Sequence, residues 1–353
     1  MRIHADFIGG NIVVNEVRGA DVYLQNDLRD STTDWFYWAF CVEEAAGQTV
    51  TFHLDKDWMG YYGPAISHDL MTWEWQNVPA DNAFTYTFAA DENKVYFAHN
   101  ILYHPAHFAA FAAKAGLKEQ TFCLSQKGRE VPCVTFGEGT KKIILTARHH
   151  ACESTGNYVL QGVLEELLAH PLDGYEILCV PFMDYDGVVD GDQGKNRDPH
   201  DHNRDYLGDD ALYPTVQEMQ RYIAAHEVVY GFDFHAPWHR GDKNDKSFIV
   251  QPNKELLPAL DRFGVMLEQH LTPTSFRYEK AEDFPPDFAW NQSTSPTFSK
   301  GLLRSSAAKL AFTLETAYFG EPDNNVFTAA RGIEFGHCFA RTLRDYIAES
   351  ENG

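Results

Sequence analysis

His150 and Glu153 form an H-x-x-E pair directly after the apolar run KKIILTA (141–147). In a tight turn leading into a helix, an imidazole and a carboxylate at this spacing can point at one centre. Catalytic zinc takes three protein ligands and keeps a fourth position open. A second apolar run, VVYGFDF (228–234), ends in His235, and a third, AKLAFTL (308–314), ends in Glu315. In open α/β sheets, chemistry gathers at the carboxyl ends of the strands. His150, Glu153 and His235 therefore make a candidate His2Glu set for one zinc ion, a known hydrolytic combination. His149 competes with His150, but only His150 has the x-x-E spacing.

These residues need a sheet to hold them, and the chain supplies two kinds of segment. Residues 1–103 carry short β-type runs, among them ADVYLQND, WFYWAFCV, QTVTFHL, FTYTFAA and KVYFAHN, separated by Gly, Asn, Asp or charged turns. That pattern predicts an antiparallel β-sandwich. From residue 104 the character changes. HPAHFAAFAAKAG opens with proline and is alanine-rich, which predicts a helix. Strands then alternate with helices, including STGNYVLQGVLEELLAH with Ser154 as N-cap, YPTVQEMQRYIAAH, KELLPALDRFGVMLEQHL and a long C-terminal helix. Such alternation predicts an α/β/α domain over 104–353, built on a mixed, mostly parallel sheet.

Composition narrows the partners. The 353 residues include 51 acidic and 29 basic side chains, a formal net charge of −22. A molecule that acidic repels nucleic acid and anionic membrane surfaces. No run of apolar residues is long enough for a transmembrane helix, and the first residues do not read as a secretory signal. Six scattered cysteines with no CxxC read as reduced, mostly buried thiols, so a cytoplasmic setting is expected.

ARHHACEST, DHNR (201–204), FDFHA and FTLET together resemble, in order, the motifs of the M14-type zinc carboxypeptidases, over roughly residues 104–353. The β region ahead of them, with its aromatic WFYWAF segment, is similar to the layout of the cytosolic carboxypeptidases. The resemblance implies a peptidase acting on the C-terminal residue of a peptide. Its zinc would be held by His150, Glu153 and His235, lowering the pKa of water and polarising the substrate carbonyl. Glu315 would take the proton and hand it to the leaving amine. Arg197 matches the arginine that stabilises the oxyanion. Asn203 and Arg204 match the pair that grips the terminal carboxylate, and Asp201 the carboxylate that orients a zinc-bound histidine. Lys300 falls where the family selects the terminal side chain, which points to an acidic preference; Arg304 is an equal candidate.

Four further expectations follow. Arg148, Arg197, Arg204 and Lys300 would make the cleft cationic within an acidic molecule. His200, His202 and His239 read as loop histidines near it. The family's substrate-capping tyrosine has no counterpart in FAWNQSTSPTFSKGLLRS, with Tyr278 too far upstream and Tyr318 after the glutamate. The acidic stretch from Asp184 to Asp192 reads as a connecting loop rather than a calcium site, since it lacks the glycine and glutamate of an EF-hand. A zinc-dependent N-acyl amino acid hydrolase and a non-catalytic peptide-binding protein are the competing functions.

Overall fold

The structure is a computed structural model and describes every residue except 79–80, 323–324 and 353. The N-terminal strands are β1 (Arg2–His4), β2 (Val13–Arg18), β3 (Asp21–Gln25), β4 (Ala39–Glu43), β5 (Thr49–Leu54), β6 (Ala65–Ser67), β7 (Glu74–Trp75), β8 (Ala83–Thr87) and β9 (Lys94–Ala98). They form two sheets, ordered β1-β4-β9-β6-β7 and β2-β3-β5-β8. In β5 the inward residues Val50, Phe52 and Leu54 are buried in strict alternation, the period-two signature of a half-covered strand. They meet Trp38, Phe40, Phe84 and Phe97 between the sheets, with Phe40 and Phe52 ring centroids 5.2 Å apart. The pairings are antiparallel except β3 with β5, which run parallel. Parallel neighbours require a crossover; here the chain passes through β4 in the opposite sheet between them.

After β9 the chain forms α1 (Pro105–Ala115), β10 (Gln120–Leu124), β11 (Glu130–Gly137), β12 (Lys141–Ala147), α2 (Thr155–Ala169), β13 (Tyr175–Val180), α3 (Tyr185–Asp190) and α4 (Pro214–Ala225). Then follow β14 (Glu227–His235), β15 (Phe248–Val250), α5 (Leu257–His270), α6 (Phe298–Ser305), β16 (Leu310–Glu315) and α7 (Ala329–Asn352). The sheet order is β10-β11-β13-β12-β14-β16-β15. The four central strands β13, β12, β14 and β16 are parallel, and the flanking pairings are antiparallel. Every residue of β16 is buried, as expected of a central strand covered on both faces. Residues of α2, α5 and α7 pack on one face around Phe232 and Phe312, and residues of α4 and α6 on the other around Ile144 and Ala311. The α2–α7 crossing is close because it is built on glycines: a Cβ on Gly162 would stand 1.9 Å from the Ile333 carbonyl oxygen.

Three local features depart from the sequence reading. Ser154 precedes α2 but makes no capping hydrogen bond. Part of the acidic stretch is helical: α3 is capped by Asp184, whose carboxylate accepts from the Gly187 N–H at 3.0 Å. The segment carrying Lys300, given no element from its pattern, is helix α6. Among the described residues no helix is long and apolar enough to cross a membrane.

Candidate metal centre and its cleft

β12 ends at Ala147, and Arg148 follows with φ of 59°, a left-handed conformation that a non-glycine residue adopts at some cost. Its buried guanidinium offsets that cost by donating to the carbonyls of Ala151 (2.8 Å from Nε) and Tyr103 (2.6 Å). Arg148 therefore props the turn and adds no charge to the cleft, contrary to the sequence expectation. The turn sends the next two histidines apart. His149 goes inward, its Nδ1 2.8 Å from Asp233 Oδ1 and its Nε2 2.8 Å from the Tyr206 hydroxyl. His150 turns to the strand ends, its Nδ1 3.0 Å from Glu153 Oε1 and 3.1 Å from His235 Nδ1. The contact between His235 Nδ1 and Glu153 Oε2 closes the triangle at 2.7 Å.

All three side chains are buried. Each ring nitrogen turned away from the triangle faces a carboxylate: His235 Nε2 meets Asp233 Oδ2 at 2.5 Å, and His150 Nε2 lies 3.5 Å from Asp201 Oδ1. A carboxylate on Nε2 fixes the proton there and leaves the Nδ1 lone pair aimed at the shared centre. Two such lone pairs 3.1 Å apart repel unless a proton or a cation lies between them. Donors around a tetrahedral zinc with bonds of ~2.0–2.1 Å stand about 3.3 Å apart. The donor types and spacing thus suit a small divalent cation. Burial opposes charge on Glu153, but His150, Lys195 and His235 outweigh it and hold its carboxyl well below the usual range. Burial likewise opposes charge on His235, and Asp233 and Glu153 keep its pKa well above an ordinary histidine's.

Glu315 ends β16 directly beside His235, its register partner on β14. Its Oε2 is buried with no hydrogen-bond partner. Burial pushes its pKa up to about 7, with His235 opposing the shift and the charge of Glu153 adding to it. A carboxyl with that pKa can both accept and return a proton near neutrality.

Of the cations expected in the cleft, Arg197, Arg204 and Lys300 line it and Arg148 does not. Arg197 is spent on three carboxylates: Nε donates to Asp30 at 3.0 Å, and its terminal nitrogens meet Asp184 at 2.8 Å and Asp192 at 3.0 Å. Lys195, two positions before it, is the cation beside Glu153: its Nζ lies 2.9 Å from Glu153 Oε1 and 5.1 Å over the Trp35 ring. The stretch K-N-R carries both cations two positions apart, and nothing in it states which one faces inward. Asn203 Oδ1 accepts from the Phe298 N–H at 3.2 Å and so anchors the start of α6. Arg204 donates to the Asn203 carbonyl at 3.0 Å and pairs with no carboxylate among the described residues. Lys300 Nζ donates to Asn291 Oδ1 at 2.8 Å and to the Gln292 carbonyl at 2.6 Å. Burial, then the charges of Arg204 and Arg304, lower its pKa to about 8. Arg304 itself is exposed and does not line the cleft.

Lys195, Asp201, Asn203, Arg204, Lys300 and Glu315 share one cleft of about 610 Å³ with His150. Its aromatic lining is Trp35, Trp238 and Trp290. Among the described residues no tyrosine lines it: Tyr278 donates to Asp283 at 2.9 Å in the interior, and Tyr318 is fully buried. Of the loop histidines, His200 lines the cleft, held 2.6 Å from Asp205 Oδ1. His239 is buried against His99 at 3.0 Å, and His202 stacks on Tyr213.

Residues 3–99 match the cytosolic carboxypeptidase N-terminal domain. The sandwich is thus similar to that domain over nearly its whole length. Cytosolic carboxypeptidase 2 of Xenopus tropicalis is 24% identical over 293 residues, covering 74% of this chain and 30% of that protein. The chain thus spans less than a third of that relative's length. A Zymomonas mobilis protein of uncharacterised role is 27% identical over 257 residues, with 67% of each chain covered. Among solved structures, the metallo-carboxypeptidase of Pseudomonas aeruginosa, in complex with (2-guanidinoethylmercapto)succinic acid, superposes with a TM-score of 0.78 at 21% identity, covering 99% of this chain and 100% of its own. That of Burkholderia cenocepacia gives 0.80 at 18%, with 99% of both chains covered. The fold, sandwich included, is that of these metallocarboxypeptidases, and the resemblance read from the motifs holds.

Proposed function

We propose that the chain is a zinc-dependent metallocarboxypeptidase that hydrolyses the C-terminal peptide bond of a peptide. The observation that carries this reading is the convergence of His150 Nδ1, His235 Nδ1 and the Glu153 carboxylate beside a Glu315 oxygen with no partner. His150, Glu153 and His235 would hold the ion, which when bound makes water more acidic and polarises a carbonyl. Glu315 takes a proton from the attacking water and delivers it to the departing amine. Arg204, with no ion-paired carboxylate among the described residues of an otherwise acidic chain, receives the substrate's terminal carboxylate through its paired N–H groups, with Asn203 beside it. Lys300, on the α6 wall of the same cleft, favours an acidic terminal side chain. Asp201 orients His150. We further propose that the chain divides at 103/104 into sandwich and catalytic domain, and that it works in the cytoplasm on peptides rather than nucleic acid or membranes, in keeping with its free thiols and its net charge.

The test is zinc analysis of the purified protein together with cleavage of a C-terminal peptide library by wild type and Glu315→Gln. Stoichiometric zinc and loss of cleavage in the variant support the reading. Absence of zinc removes it, and cleavage of N-acyl amino acids alone replaces it with the acylase reading.

A further inference from the structure

Residues 191–197, the loop that leads from α3 into the cleft, are held mainly by the β-sandwich. Asn11 donates from Nδ2 to the Gly191 carbonyl at 2.7 Å. Gln193 exchanges two hydrogen bonds with the Tyr37 backbone, at 2.9 and 2.8 Å. The Asp30 carboxylate accepts from the backbone N–H groups of Gln193 (2.9 Å) and Gly194 (2.8 Å), and also from Arg197. Thr32 donates from its backbone N–H and its hydroxyl to the Asn196 carbonyl, at 3.0 and 2.7 Å. The fit leaves no room. A Cβ on Gly191 would lie 2.2 Å from the Gly10 carbonyl oxygen, and one on Gly194 would lie 2.1 Å from the Ala151 nitrogen, beside the metal-binding turn. Both glycines have positive φ, which favours glycine at each; Gly191 abuts the sandwich and Gly194 abuts the turn after β12.

Within this clamped loop Lys195 is the side chain that reaches the Glu153 carboxylate, and the sandwich residue Trp35 lies under its ammonium. We infer that Lys195 is a catalytic residue of the proposed peptidase reaction, the fixed cation for the oxyanion, and that Asp30 of the sandwich is the positioning residue that aims it. The inference rests on the peptidase reading above. When water adds to the scissile carbonyl, the carbon–oxygen π pair moves onto oxygen, and a cation already in place lowers the energy of that charge without reorganising. Lys195 shares its cleft with Glu315 and Arg204, the groups proposed to move the proton and hold the substrate's end. Arg197 cannot leave Asp30, Asp184 and Asp192 without leaving buried charges unpaired. On this account the sandwich is part of the active site's construction, since Asp30, Trp35 and Thr32 all come from it.

The experiment compares full-length wild type with Lys195→Met, Lys195→Arg, Asp30→Asn and the Asp30→Asn/Lys195→Met pair. It measures zinc content by competition with a chelator, kcat and KM on one peptide, and calorimetric binding of a phosphonate peptide analogue whose anionic oxygens mimic the oxyanion. Lys195→Met is expected to keep its zinc and lose about 10²–10³-fold in kcat. Its KM should change by less than about threefold, and its phosphonate affinity should fall in step with kcat. Lys195→Arg is expected to restore at least about a tenth of the wild-type kcat. Asp30→Asn is expected to lose kcat but to cost nothing further in the Lys195→Met background, as for two residues acting through one group. Should Asp30→Asn not fold, Trp35→Leu takes its place, with a loss of about two- to fivefold that also vanishes in that background. Full kcat in Lys195→Met, or loss of its zinc, overturns the catalytic assignment; additive losses overturn the positioning role. A wild type that holds zinc but neither cleaves peptides nor binds the phosphonate overturns the peptidase reading itself, and this inference with it.

Discussion

The Asp233 carboxylate lies 2.5 Å from Nε2 of His235, two positions further along the same strand and therefore on the same face of it. Its other oxygen accepts from His149 Nδ1 and from the Thr146 hydroxyl, each at 2.8 Å. Asp233 is thereby fixed from three sides and passes that rigidity to the His235 ring. Asp233→Asn removes the charge and one acceptor while keeping the shape. We expect zinc affinity to fall by about 10- to 100-fold, the usual loss when a ligand histidine loses its carboxylate partner. Chelator competition on the purified variant measures this, and an unchanged affinity would show that the His235 ring needs no such support.

Glu315 stands beside His235 in register but has no hydrogen-bond partner for one of its oxygens. A purely structural carboxylate at that depth would be paired. Glu315→Gln keeps the volume and removes the proton acceptor. The expected result is retained zinc and a kcat lower by about 10²–10⁴-fold, with KM nearly constant. A variant with near wild-type turnover would assign the proton transfer to another group.

Much of this candidate site could be read along the chain because three apolar strands run into titratable residues. Burial of a central strand demands the apolar run, and at the carboxyl edge of the sheet β14 ends in His235, β16 in Glu315, and β12 runs on past Ala147 to His150. The parts that could not be read are those whose partners lie far away in sequence. Which cation of K-N-R faces the centre depends on Asp30, far back in the sequence within the β-sandwich, capturing Arg197. Arg148 carries the charge expected in a cleft, yet its left-handed φ and the Tyr103 and Ala151 carbonyls turn it into a strut. Helix α6, FSKGLLRS, is only eight residues long and has no side-chain cap at its start, and it is held from outside by Asn203. The parallel β3–β5 pairing was hidden for a similar reason, because the intervening strand joins the opposite sheet and alternation carries no direction.

Gly162 sits mid-helix in α2, where glycine normally costs about 1 kcal/mol relative to alanine. Propensity alone therefore predicts that Gly162→Ala stabilises. The packing predicts the reverse, because the new methyl would stand 1.9 Å from the backbone oxygen of Ile333 and only separation of α2 from α7 relieves it. Overpacking of this kind costs about 1–3 kcal/mol. After the propensity gain of about 1 kcal/mol is taken off, we expect a net loss of stability of up to about 2 kcal/mol in urea denaturation, and a gain would refute the close crossing.

Lys300 has two neutral acceptors, Asn291 Oδ1 and the Gln292 carbonyl, and no carboxylate within ion-pair distance among the described residues. Burial and the neighbouring arginines hold its pKa down to about 8. It is therefore charged below that pH and neutral above it, so any attraction for an acidic terminal side chain must fade as the pH rises through about 8. The ratio of kcat/KM for a peptide ending in Glu to that for one ending in Leu isolates this effect, since changes at the metal centre act on both substrates and cancel. We expect the ratio to fall several-fold between pH 7 and pH 9.5 in the wild type. Lys300→Arg should hold it nearly flat, because a guanidinium stays charged throughout. Lys300→Met should lower it at every pH to the wild-type value at high pH. A ratio that does not move with pH in the wild type would take the terminal side chain away from Lys300 and leave that lysine as a donor that ties α6 to the Asn291–Gln292 turn.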